Sequence, residues 1–174
     1  MKDIFKKKQL NILGFILIII YILGIVLITQ FPITIGSYSS IDEFYQEIGM
    51  APNYIQLIPF KTIIQTISNN PIQVFGNILL LLPLGFMLKK FTKLSFIRCV
   101  IICALCSLGI EVLQYIVDIS LAFPNHIVDI DDIILNVVGG IVGIGCSYLF
   151  TFLNLDKYIN KIFLKQPVID SKNV

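Results

Sequence analysis

Residues Pro124 to Gly143 read PNHIVDIDDIILNVVGGIVG, and the fold turns on how this stretch is understood. Asp129, Asp131 and Asp132 stand directly before a run that stays apolar to Phe152, broken only by small or polar residues. Carboxylates at the edge of a membrane span are costly, so such a cluster is a functional hypothesis by default. At about 100° per residue on a helix, Asp129, Asp132, Asn136, Gly140, Gly143 and Ser147 share one stripe, and Asp131 points to the opposite side. A stripe that is polar at one end and small along its length suits packing against other helices. Capping is the competing account, with Asp129 as N-cap and Asp132 three residues on, both favoured at the positive end of the helix dipole. It covers two aspartates and leaves Asn136, a turn deeper, unexplained.

The rest of the chain supplies a bundle for this helix. Its 174 residues are 56% hydrophobic and only 14% charged, with a mean hydropathy of +0.88. Several apolar runs of about 18 residues or more exclude a soluble domain and mean a polytopic membrane protein. The expected fold is all-α, one four-span transmembrane bundle over residues 1–174, with spans near 10–28, 72–88, 94–117 and 131–153. Lysine and arginine gather at Lys2, Lys6, Lys7 and Lys8, at Lys89, Lys90, Lys93 and Arg98, and at Lys157, Lys161 and Lys165. The positive-inside rule then puts both termini in the cytoplasm. No small-residue cleavage site follows the first span, which reads as uncleaved. Richness in Ile, Asn, Lys and Phe without Trp suggests an AT-rich bacterial genome. Cys99, Cys103, Cys106 and Cys146 all fall inside spans, where they read as small packing residues rather than redox or metal groups.

That topology brings separate polar residues together. The segment from Thr29 to Pro71 lies outside and is expected to cap the bundle. Ile41 to Met50 reads as a short helix with Ser40 as N-cap, and Tyr54 to Ile67 as an interfacial stretch that Pro59 interrupts or starts. Span two carries Asn77 near its outer end, with a kink expected at Pro83 and Gly85. Span three carries Ser107, Glu111, Gln114 and Asp118 on one stripe. The embedded carboxylates and amides therefore collect in the outer half, above an apolar inner half. Glu111, Asp129 and Asp132 are the candidate catalytic residues, and Asn77, Gln114, His126 and Asn136 the candidate ligand-binding ones. Glu111 has Gln114, Asn77, Asn136 and His126 as prospective partners, and a protonated Glu111 in a purely structural amide network is the alternative. Gly139 and Gly143 form a GxxxG whose partner, within the bundle or in another subunit, the pattern leaves open. The ligand spacing matches no standard zinc motif, so no metal is expected.

Four segments resemble the VanZ-like membrane proteins: QLIPFKTI at Gln56 to Ile63, NILLLLPLGF at Asn77 to Phe86, SLGIEVLQ at Ser107 to Gln114, and DIDDIILNVVGG at Asp129 to Gly140. Family members typically carry an arginine where His126 stands and an asparagine where Gln56 stands. Neutral histidine does not replace a bidentate arginine, which weakens any anion-binding role at that position. The resemblance implies reduced susceptibility to the glycopeptide teicoplanin, which binds peptidoglycan precursors outside the membrane. The expected function is binding or modifying a lipopeptide-like or lipid-linked envelope component at the outer leaflet. The partners expected are that membrane lipid or lipid-linked component and the glycopeptide itself, with no nucleic acid and no inferred cofactor. A membrane-embedded hydrolase or transferase is the alternative, with Glu111 as general acid or base and the aspartates holding a cation or cationic substrate group. A purely structural subunit is another. A proton-coupled transporter fits poorly, because the polar groups sit on one side only.

Overall fold

Mean hydropathies near 2 or above over runs of about twenty residues leave the backbone only one way to satisfy its polar groups in lipid, the helix. The computed structural model, which describes residues 2–31 and 33–155, contains four helices long and apolar enough to cross a membrane. They are α1 (Lys2–Gln30, with its apolar span from Ile12), α4 (Pro71–Phe91), α5 (Phe96–Ser120) and α6 (Ile130–Phe152). The expected spans match these within a few residues. Lys157, Lys161 and Lys165 lie outside the described residues.

Helix α6 is the central element, with 39% of its span buried against 17% for α1. Its glycines explain why. A Cβ on Gly139 or Gly143 would fall on the carbonyl of Ile78 or Leu82 in α4, and one on Gly85 would fall on the carbonyl of Gly140. The GxxxG therefore packs within the bundle, backbone against backbone. Gly140 also meets the Cys103 side chain of α5, so that thiol is a packing group. Helix α4 runs unbroken through Pro83, and Gly85 serves close approach to α6. The Tyr21 hydroxyl of α1 donates to the Leu80 carbonyl at 2.8 Å, beside the turn that Pro83 weakens. Leu81, Leu84, Cys99, Cys103 and Ile144 are fully shielded and form the apolar half of the core. Large apolar side chains such as Ile19, Leu23 and Leu27 cover the outside of α1, as lipid contact requires.

Between α1 and α4 the chain folds back over one end of the bundle. It forms α2 (Ile41–Glu47), β1 (Ile55–Gln56) and α3 (Lys61–Thr66). Ser40 caps α2 as expected, accepting from the Glu43 N–H, and hydrogen bonds from Ser39 hold the Glu43 carboxyl below its usual range. Phe44 of α2 packs edge-on against Phe123 beyond α5, and Tyr54 stacks near Tyr115. The all-α expectation needs one amendment. Strand β1 pairs in parallel with β2 (Val128–Asp129), Ile55 opposite Val128 and Gln56 opposite Asp129. This two-residue ladder fixes the pre-span segment directly over the start of α6.

Candidate functional site

Five of the nine buried polar side chains among the described residues, Glu111, Asp118, Asp129, Asp131 and Asn136, lie in the second half of α5 or around the start of α6. Asp129 is the N-cap of α6, in extended conformation, and its side chain accepts from the Asp131 N–H at 2.9 Å. Its own N–H donates at 3.1 Å to Oε2 of Glu111, which is 3% exposed. The partner of Glu111 is thus a backbone donor, and not Gln114, Asn77 or Asn136. Gln114 turns aside to donate to the Thr29 carbonyl at the top of α1, 3.0 Å away.

Asp131 is fully buried, and with Asp132 it lines a small gap beside Thr62, Ile63 and Leu135. Its two oxygens accept the N–H groups of Phe60 and Ile63, at 2.5 and 3.0 Å. Phe60 adopts the left-handed conformation (φ 64), a strained setting for a bulky residue. That geometry starts α3 two residues after Pro59 and aims its free N–H groups at one carboxylate. Asp131 therefore clamps the cap segment to the bundle.

Asp132 accepts from the Asn77 amide of α4. Asn136, a turn deeper and 1% exposed, donates to Ser107 Oγ of α5 at 3.1 Å, while its carbonyl oxygen is buried without a partner. His126 stands on Asp118: its N–H and its Nδ1 lie 2.7 and 3.0 Å from the two Asp118 oxygens. Asp118 is 4% exposed at its side chain. The histidine thus takes a carboxylate partner through one ring nitrogen and its own backbone. Asn125 steadies this turn by pairing with both the N–H and the carbonyl of Thr34.

These elements enclose a polar cavity of about 450 Å³. Of the residues expected at the site, Gln114, His126, Asp129 and Asp132 line it. Glu111, Asn77 and Asn136 stand behind that wall, supporting Asp129 and Asp132 or linking α6 to α5. The opposite wall consists of residues that sequence reasoning gave no site role: Asn53, Gln56, Lys61, Thr62, Gln65 and Gln73. Their signal was the interleaving of Gln56, Lys61 and Gln65 with isoleucines in a stretch too polar to span. Gln56 spends its amide locally, on the carbonyl and N–H of Ile58. Among the described residues, no three His, Cys, Asp or Glu side chains are placed to hold a metal ion.

A family model described as VanZ/LLP1 matches residues 15–151, well over half of the chain. The chain belongs to the VanZ/LLP1 family. The matched region takes in the cap segment and all but the ends of the four apolar spans, so the cavity lies wholly inside the VanZ/LLP1 part. No curated protein and no solved structure matches the chain. Chemically, the cavity of this VanZ/LLP1 protein offers amide donors and acceptors, two carboxylates and one ammonium. That set suits a neutral or zwitterionic, hydrogen-bonding group better than a bare anion or an alkyl chain.

Proposed function

We propose that this multi-pass membrane protein binds the polar part of a membrane-linked envelope component, in a bacterial cell membrane, and thereby lowers susceptibility to teicoplanin-type glycopeptides. One observation carries the reading: an amide-rich cavity of about 450 Å³ at one end of an otherwise apolar bundle. Sugar and peptide groups are recognised by such convergent donors and acceptors. The cavity sits on the outer face in this reading, with both chain termini cytoplasmic, because the lysines gather at the opposite end of the bundle.

Removing the gene and restoring it as wild type or Asp132→Asn tests the reading. Teicoplanin susceptibility should rise on removal, return with wild type, and stay high with Asp132→Asn at equal membrane abundance. Wild-type protection by Asp132→Asn would overturn the cavity's role.

A second reading, a hydrolase or transferase on a lipid-linked substrate, is favoured by the Asp118–His126 pair beside Asp132. Comparing lipid extracts of the same strains separates the two. An envelope lipid that changes on removal favours the enzyme, and unchanged lipids with altered susceptibility favour the binder.

A further inference from the structure

On the same side of α5 as Gln114, but one turn deeper, a second cavity of about 250 Å³ opens between α1 and α5. Ile22, Ile25 and Val26 of α1 form one wall, Cys106, Gly109 and Ile110 of α5 the other, and Leu81 and Leu84 of α4 the floor. Nothing in this lining donates or accepts a hydrogen bond strongly, so a peptide or sugar would be stranded there. An alkyl chain would not. Gly109 is exposed, and a Cβ built on it meets nothing within 4 Å, so the cleft is open at that point.

The lining of the two cavities comes within one helical turn at a single hydrogen bond. Gln114 lines the polar cavity and reaches across to Thr29, the last turn of α1. Ile110 stands one turn below Gln114, and Ile25 and Val26 one turn below Thr29. On that same upper turn of α1, Gln30 is 7% exposed, and both polar atoms of its amide are buried without a partner. Down the bundle the order is therefore an amide-rich chamber, a junction with an unused amide, and a wholly apolar cleft facing the membrane. An amphiphile has the same order: polar head, ester or amide linkage, hydrocarbon.

We infer that the cleft between α1 and α5 seats an acyl chain of the ligand whose polar head occupies the cavity at Asp129 and Asp132. The ligand class is thus a lipid-anchored molecule that enters sideways from the bilayer, past α1. This rests on the reading of the polar cavity given above and adds the ligand's anchor to it.

The full chain is reconstituted in phosphatidylglycerol vesicles containing a trace of phosphatidylglycerol with a diazirine in mid-chain. After irradiation the labelled residues are mapped by mass spectrometry. The expected result is labelling at Ile22 to Val26 and Cys106 to Ile110 several-fold above that at lipid-facing positions such as Ile101 and Leu105. Gly109→Leu should fill the cleft and bring that labelling down to the lipid-facing level, with Gly109→Ala intermediate. Both changes improve helix propensity and enter open space, so helix content and thermal stability should hold. Even labelling around the bundle in the wild type would mean ordinary boundary lipid and overturn the inference. So would enrichment that survives Gly109→Leu. Failure of the polar-cavity reading shows elsewhere, as wild-type protection by Asp132→Asn, and leaves the labelling pattern unchanged.

Discussion

Three aspartates within four positions perform three tasks. Asp129 caps α6, Asp131 holds the cap segment, and Asp132 faces the cavity against Asn77. Asp131→Asn replaces one of two accepting oxygens by a donor, so either the Phe60 or the Ile63 N–H loses its partner. The expected loss is about 1–3 kcal/mol of stability, read as a lower melting temperature in detergent and faster hydrogen exchange in α3. Glu111→Gln behaves differently. The amide oxygen still accepts from the Asp129 N–H, so membrane abundance should match wild type, whereas Glu111→Leu strands that N–H and should reduce abundance. Equal abundance of Gln and Leu variants would mean that the Glu111 contact does not hold the start of α6. The helical stripe in the sequence set Asp131 on the side opposite Asp132, yet both line one small gap beside Thr62 and Ile63. It could not show that Asp131 meets backbone donors about seventy residues upstream, because periodicity orders side chains on one helix and says nothing about which loop returns to them.

Among elements, the long helices were legible and the short ones only partly. Apolar length alone marks a span, and the Ser40 cap marked α2. Helix α3 is six residues long and the β1–β2 ladder two, too short for either period to emerge. The interleaved polar residues marked this segment as a cap, but its role as a cavity wall did not show in so short a pattern. The glycine pattern in α6 was legible as a packing face, and the structure names its partner as α4. That pairing is testable within one helix. Gly143→Ala drives a methyl group onto the Leu82 carbonyl and should destabilise by about 1–3 kcal/mol as overpacking. Gly145→Ala meets nothing within 4 Å and should be neutral or stabilising by up to about 1 kcal/mol, through propensity alone. Thermal melts of the two variants should therefore move in opposite directions or leave Gly145→Ala unmoved. A matching fall in both would mean that the face turned away from α4 is also packed.

At the scale of the whole molecule, four spans connected in series place the cap segment and the α5–α6 turn at one end. The α4–α5 turn and the end of α6 lie at the other. Lys89 and Lys90 reinforce that second end by lying over the Tyr148 and Phe150 rings of α6, so the cations are built into the fold there as well as counted in the loops. The proposed orientation rests on the charge tally alone, since a packing contact does not tell one membrane face from the other, and it can be measured directly. With Cys99, Cys103, Cys106 and Cys146 replaced by alanine, single cysteines at Ser68 and Lys93, both exposed, report the two ends. A membrane-impermeant maleimide should modify Ser68→Cys in intact cells and Lys93→Cys only after permeabilisation. The reverse pattern would turn the amide-rich cavity toward the cytoplasm, where no glycopeptide and no exported precursor can reach it. The proposed protection would then have to act on a lipid-linked intermediate before export. Because the cavity and its acyl cleft open at the same end of α1, both would change leaflet together, and the ligand would remain an amphiphile drawn from the inner monolayer.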